Sequence, residues 1–277
     1  MLSENQLAQY HQEGYVLIEE AVPAALLEPL REAAQRTTER TRSGQWPHRR
    51  DAGSGDIWGV GHLLHPDLGE PTFAEYMASD VVIDVVAQLL EVEDAEAELE
   101  LELVNMLVNP SERDYAINWH RDLVREDLEP AEELARLQSL KFSVQWNTAL
   151  YDESSLLIVP GSHLRAKTPR ERAIAVDAPR SDMPDQLVVE LKAGQGVYYD
   201  ANLLHRGVYP HTTQRQTIHC CMGRIAGARQ RTYIYDALPW MDDEAFGAEL
   251  PARLRPLHAN FRAMAARYRA GDIRSDS

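Results

Sequence analysis

An α+β fold built around a double-stranded β-helix, or jelly roll, is what this sequence predicts, and three observations carry the prediction. Apolar residues recur at helical spacing through most of the first 95 residues and again over 251–269. From residue 98 the period falls to two, and short apolar runs alternate with Gly, Pro, Ser and Asp turns. Many short antiparallel strands between helical ends is an α+β pattern, and two small sheets closed over one pocket are its economical form. A chain of 277 residues can bury about three quarters of its unfolded surface around one large core. The expected layout is one domain: a mainly helical part over 1–97, a jelly-roll core over 98–236 and a helical extension over 237–277.

Each element has a local reason. Ser3 with Gln6 forms a capping box, Pro23 opens a helix that runs to about Thr41, and Asp80 caps Val81–Leu90. Between these, Trp46–Pro71 is rich in Gly, His and Pro. Loops of that length are uncommon unless functional or disordered, so Trp58, His62 and His65 are candidates for substrate contact and the stretch itself for a lid. The acidic tract Glu91–Glu102 reads as a solvated connection and strand face. In Leu99–Leu107 the glutamates share one face, so Leu101, Leu103, Asn105 and Leu107 point inward, placing one amide on an apolar face. A buried amide needs partners, and a bound dicarboxylate or a structural hydrogen bond would serve. The same alternation over Lys141–Asn147 puts Phe142, Val144 and Trp146 inside. Leu156–Val159, Gln186–Leu191, Gly196–Asp200, Arg215–Met222 and Arg231–Tyr235 are further strands. A C-terminal helix, with Leu254, Leu257, Phe261, Met264 and Tyr268 at helical spacing, packs on the outside of the barrel.

Composition removes several function classes. A formal charge of −16 argues against a nucleic-acid partner, which needs a clustered positive face. Arg165, Lys167, Arg170 and Arg172 do cluster, either as a solvated loop or to meet an anionic substrate. No run approaches the ~18 apolar residues of a membrane helix. Met1–Gln6 carries neither a basic nor an apolar leader segment, so the expectation is cytoplasmic. The two cysteines, Cys220 and Cys221, are adjacent, which suits a reducing compartment and no disulfide framework.

Chemistry concentrates in two places. In Ile117-Asn118-Trp119-His120-Arg121-Asp122, a strand over 116–122 would aim His120 and Asp122 at one point. A third ligand from His205 would complete a 2-His-1-carboxylate face, which leaves the opposite positions of Fe(II) open for an oxidisable co-substrate and O2. His163, His211 and His258 compete for the third place. His205 is preferred for its spacing to Arg215 and its apolar approach, Leu203-Leu204. A second His-x-Asp, His65-Pro66-Asp67, sits where proline works against a strand ladder. Downstream, Arg215, Thr217 and His219 share one strand face. The guanidinium fork matches a carboxylate with two hydrogen bonds, the Thr217 hydroxyl can add a third, and His219 is placed to touch substrate.

Trp119-His120-Arg121-Asp122, Val159-Pro160-Gly161-Ser162-His163, and His205-Arg206-Gly207 followed ten positions on by Arg215 occur in an order that resembles the phytanoyl-CoA dioxygenase family of Fe(II)/2-oxoglutarate oxygenases. The likeness spans roughly residues 98–225, with weaker similarity before it. Two turns depart from the family pattern: Asp152-Glu153-Ser154-Ser155 stands where an Asn-Gly hairpin is common, and Gly194-Gln195 where Gly-Asp is usual. The resemblance implies iron held by His120, Asp122 and His205, 2-oxoglutarate anchored by Arg215 and Thr217 with Trp146 beside it, and hydroxylation with release of succinate and CO2. The residue patterns add Asn105 beside the co-substrate, Trp58, His62, His219 and Arg165 as candidates to meet substrate, and, from the Arg and His content around the mouth, a polar or anionic small molecule as that substrate. Halogenating relatives vacate the carboxylate position, so Asp122 points to hydroxylation, desaturation or ring chemistry. Two rival classes fit the same residues: a catalytically silent metal-binding jelly-roll module, and a cupin-like metalloenzyme that does not use 2-oxoglutarate. Arg215-x-Thr217 argues against the second.

Overall fold

The structure is a computed structural model that describes residues 1–53, 55–139 and 142–274. Its antiparallel strands form two sheets. The larger has eight strands, seven of them in the order β1 (Tyr15–Ile18), β10 (Gly196–Asp200), β7 (Ser143–Ala149), β12 (Gln216–Arg224), β5 (Val104–Val108), β3 (Ile57–Val60) and β2 (Arg49–Asp51), with β4 (Leu99–Glu100) also paired to β12. The smaller runs β6 (Tyr115–Ala116), β11 (His205–Tyr209), β8 (Glu153–Ile158) and β9 (Leu187–Leu191). This is the expected jelly roll.

Helices come where the sequence places them. Ser3 and Gln6 close the capping box of α1 (Glu4–Glu13), α2 spans Leu27–Arg42, and α10 spans Leu254–Arg269 with Leu254, Leu257, Phe261 and Met264 buried. The helix Asp80–Leu89 starts one residue earlier than expected, with Ser79 rather than Asp80 at its N-cap. No described helix is long and apolar enough to cross a membrane.

The N-terminal region contributes more sheet than its periodicity suggests. Strand β1 forms one edge of the large sheet, and β2 and β3, inside the supposed Trp46–Pro71 loop, form the other. Arg231–Tyr235, expected as a strand, is not one: Tyr233–Ala237 forms a short helix. Glu100 and Glu102 also depart from expectation: both are fully buried against Arg231, whose own side chain is inaccessible. Removing one member of such a buried pair typically costs about 3–5 kcal/mol.

Both faces of the large sheet are buried, which decides what each can hold. On the outer face Val104, Met106, Val144, Trp146, Ile218, Cys220 and Met222 join Leu30, Phe73, Val82 and Phe261 of the helices in the main core. The inner face looks across to the small sheet and carries Gln145, Asn147, Thr217 and His219. The alternation over residues 142–147 is therefore real, with its sense inverted: Phe142, Val144 and Trp146 were expected inside, yet the apolar side of β7 packs under helices and the polar side faces the cavity. Lys141, where that run begins, lies outside the described residues.

Candidate metal centre and co-substrate cavity

Residues 117–122 do not form a continuous strand. After β6 the chain keeps in step with β11 through Ile117, bulges, and returns at His120, which forms an isolated antiparallel bridge with His205. Two backbone hydrogen bonds of 3.0 and 3.1 Å hold that bridge, and a third, from Asp122 N–H to the carbonyl of Ala201, brings the carboxylate in beside it. Each imidazole is then oriented by its own backbone. The Nδ1 of His120 lies 2.8 Å from the carbonyl of Asn118, and the Nδ1 of His205 lies 2.7 Å from that of Leu203. A carbonyl accepts only, so the proton resides on Nδ1 and the Nε2 lone pairs are free for a metal.

Both Nε2 atoms approach the same carboxylate, His120 at 3.5 Å from Asp122 Oδ1 and His205 at 3.6 Å from Asp122 Oδ2. One ligand atom from each of the three lies within 4.8 Å of the others. Burial pushes the Asp122 carboxyl up, but the neighbouring His205 and His120 and a hydrogen bond from Gln145 outweigh it and hold the carboxyl well below its usual range. Burial, reinforced by His120, brings His205 down to about 4. Burial pushes His120 down, but its bond to and charge pairing with Asp122 outweigh it and raise it. The set is thus one carboxylate and two imidazoles converging on a point, where a metal displaces any proton on Nε2, which fits a divalent iron with open positions.

The other histidines are committed elsewhere. His65 Nδ1 accepts from Asp67 N–H at the start of a short 3-10 helix, and the Asp67 side chain points to solvent. His211 pairs with Asp114, His258 contacts the carbonyl of Met241, and His163 lies against that of His11.

A narrow cavity of about 70 Å³ runs from the triad to Arg215, walled by Gln145, Asn147, Tyr199, Tyr209 and His219 among others. Register explains this lining. Across the large sheet Asn105, His219 and Asn147 stand directly opposite one another on β5, β12 and β7, and Leu107, Thr217 and Ala149 form the next row. His219 Nδ1 bonds to Asn147 Oδ1 at 2.8 Å, and burial together with Arg50 depresses its pKa to about 3, so it is neutral.

Arg215 lies just before β12 and is 2 % exposed. Its guanidinium sits 4.4 Å from the centre of the Tyr209 ring, Nε donates to Thr217 Oγ1 at 3.1 Å, and Glu153 Oε2 lies 2.8 Å away. Nη1 remains buried with no hydrogen-bond partner among the described residues. An unsatisfied buried guanidinium N–H facing a cavity that leads to a metal triad fits a co-substrate carboxylate. Gly207 makes room here, because a Cβ at that position would collide with the Tyr209 phenol.

Of the remaining expected site residues, Trp58 lines the same cavity and stacks on Tyr115 and Tyr209. Asn105 lies in an adjoining chamber, its carbonyl accepting from His62 N–H. Three others are elsewhere. Trp146 is on the outer face, stacked on Tyr198 and donating to the Tyr76 hydroxyl. His62 stacks on His48 and accepts from Trp240 Nε1, since the chain turns away from β3 at its positive φ of 60°. Arg165 makes two 2.7 Å bonds to Glu171, the capping-box glutamate of the helix Pro169–Asp177. Gln145, Asn147, Tyr199, Tyr209 and Glu153 went unrecognised in the sequence. Gln145 and Asn147 had one signal, uncharged polar residues alternating within a strongly β-forming run.

A family model described as phytanoyl-CoA dioxygenase (PhyH) matches residues 10–217. The chain belongs to the phytanoyl-CoA dioxygenase family. It is an Fe(II)/2-oxoglutarate-dependent dioxygenase, and Fe(II), 2-oxoglutarate and O2 are the groups its cavity is built to meet. Solved structures with the same fold include EctD from S. alaskensis with 2-oxoglutarate and 5-hydroxyectoine, at 17% identity and TM-score 0.62 over 81% of this chain and 77% of that one. AviO1 from Streptomyces viridochromogenes Tue57 matches at 16% and 0.58, over 79% and 93%. The α-ketoglutarate-dependent epimerase SnoN of nogalamycin biosynthesis matches at 18% and 0.55, over 79% and 81%. The sequence matches none of the curated proteins with which it was compared.

Proposed function

We propose that the protein hydroxylates a polar or anionic small molecule, with His120, Asp122 and His205 holding the iron and Arg215 and Thr217 holding the distal carboxylate of 2-oxoglutarate. The observation that carries this reading is the meeting, in one cavity, of the two Nε2 atoms and Asp122 with a buried guanidinium that has an N–H left over. When bound, Fe(II), 2-oxoglutarate and O2 supply a coupled oxidation in which one oxygen atom enters a substrate C–H bond and the other leaves in succinate, with CO2 released.

The chain's own residues then have defined tasks. The carbonyls of Asn118 and Leu203 hold the two imidazoles in the tautomer that offers Nε2. Gln145 bonds both Asp122 and the Tyr199 hydroxyl, which keeps the carboxylate turned toward the triad. Arg215 orients the co-substrate from the far end of the cavity, and Tyr209 and Trp58 wall that end off. Two free, buried cysteines suit a reducing, cytoplasmic setting.

The test is anaerobic addition of Fe(II) and 2-oxoglutarate to metal-free protein, following the weak visible charge-transfer band of the chelated complex. A band in the wild type that needs about tenfold or more 2-oxoglutarate in Arg215→Ala is the expected result, from loss of a charge-assisted pair. Iron binding without any band would hand the site to the cupin-like or binding-module reading.

A further inference from the structure

Next to the co-substrate cavity lies a second chamber of about 230 Å³, which Arg215 does not line. It shares Arg50, Asp122, Gln145 and His219 with the co-substrate cavity and adds Leu103 and Tyr233, so a molecule seated there abuts the metal centre. We propose that this chamber is the substrate seat and that Arg50 on β2 anchors a carboxylate of the substrate, an inference that rests on the oxygenase reading above.

Charge is the first argument. The two charged side chains that line the chamber are Arg50 and Asp122, and Asp122 is already enclosed by the two triad imidazoles. Arg50 has no such counterpart: among the described residues it makes no hydrogen bond or ion pair, and its neighbour Arg49 takes the adjacent Asp51. Its one close contact is the face of Trp58, 5.7 Å from ring centre to guanidinium carbon, which positions a cation and leaves its N–H groups available. Arg215 differs, since Glu153 partly neutralises it. Arg50 lines both cavities, Arg215 lines only the co-substrate cavity, and Asp122 of the triad borders both.

Placement is the second argument. Arg50 pairs with Gly59 across the β2–β3 hairpin. A Cβ at Gly59 would lie 3.2 to 3.5 Å from Cβ, Cδ and Cγ of Arg50, so the glycine lets the arginine stem lie flat across β3 on its way to the chamber. Neutral His219 and the amides of Asn105 and Gln145 line the rest of the polar wall, and Leu103 and Tyr233 supply apolar surface. A small molecule with a carboxylate, a hydrogen-bonding body and a short apolar side fits that wall.

The probes are N-acetyl-leucine and its uncharged twin N-acetyl-leucinamide, titrated anaerobically by calorimetry into wild-type, Arg50→Gln and Gly59→Ala protein loaded with Fe(II) and 2-oxoglutarate. The wild type is expected to bind the carboxylate about tenfold or more tightly than the amide, in line with a charge-assisted guanidinium pair. That preference should fall to within about threefold in Arg50→Gln and to an intermediate value in Gly59→Ala, with the 2-oxoglutarate band retained in both. Equal affinity for the two probes in wild type, binding of neither, or loss of the band in Arg50→Gln would overturn the proposal, the last by making Arg50 part of the co-substrate seat. A wild type that prefers the carboxylate yet gives no band would uphold the anchor while removing the oxygenase reading, so the two failures are separable.

Discussion

The chain contains His-x-Asp twice, and the two copies have opposite fates. In His120-Arg121-Asp122 the histidine bridges His205 on β11, its Nδ1 is tied to a backbone carbonyl, and the carboxylate returns to lie between two Nε2 atoms. In His65-Pro66-Asp67 the proline starts a 3-10 turn, His65 Nδ1 is spent on the backbone N–H of Asp67, and the carboxylate is 84% exposed. Spacing is common to both. What separates them is a neighbouring strand that fixes the backbone and contributes a third ligand.

The largest effect that would break this comparison comes from deleting one imidazole at each copy. His120→Ala and His205→Ala should each abolish stoichiometric Fe(II) binding and reduce 2-oxoglutarate turnover by roughly a thousandfold or more, as expected when a metal ligand is lost outright; changes to the groups that hydrogen-bond a ligand cost only about 10–100-fold. His65→Ala should leave both within about twofold, because it removes only a half-buried cap of a short 3-10 helix that ligates nothing. Iron binding that survives in His205→Ala but fails in His163→Ala would move the third ligand, and equal losses at both copies would erase the distinction.

The same contrast shows what was legible in the sequence. The three triad positions and Arg215 stood out because His120-x-Asp122, His205 behind Leu203-Leu204, and Arg215 ten positions on form an ordered set. The helices at each end were legible from period and caps, and the C-terminal one lies where its apolar stripe requires. The sheet's handedness of burial was not. An alternating strand has two faces, and the sequence of β7 does not say that helices cover the apolar one, so Trp146 was placed in the cavity that belongs to Gln145 and Asn147. Nor does a short hairpin holding Gly53, Gly55 and Gly59 advertise itself as the sheet edge, which is why β2 and β3 passed as loop. Glu153 was visible only as turn chemistry; its pairing with Arg215 depends on a contact 62 residues away in sequence that no local pattern encodes.

A second, smaller effect sharpens the comparison between buried ion clusters. Arg231 faces two buried carboxylates, Glu100 and Glu102, and lines neither cavity beside the triad, whereas Arg215 faces one and lines the co-substrate cavity. Glu153→Gln should lower the melting temperature without ligand, since breaking a buried pair costs about 3–5 kcal/mol before relaxation. Added 2-oxoglutarate with metal should then restore more stability than it adds to the wild type, because the incoming carboxylate replaces the missing charge. Identical ligand-induced shifts in the two proteins would show that Arg215 does not exchange one carboxylate for another.

The smallest effect concerns His62, which belongs to the region of the second His-x-Asp and stacks between His48 and Trp240. Burial, helped by His48 and His65, lowers its pKa from 6.5 to about 4. The unfolded chain therefore takes up this proton before the folded one, so the stability His62 permits is complete above about pH 6.5 and drains away as pH falls toward about 4. His62→Asn keeps an acceptor for Trp240 Nε1–H and tolerates the positive φ, so it should cost roughly 1 kcal/mol or less at pH 7. Thermal melts from pH 7 to pH 5 should be flatter in the variant than in the wild type. A wild type and variant that lose stability in parallel over that range would assign the acid sensitivity to the other depressed histidines, His48, His205, His219 and His258, and leave His62 as a packing residue only.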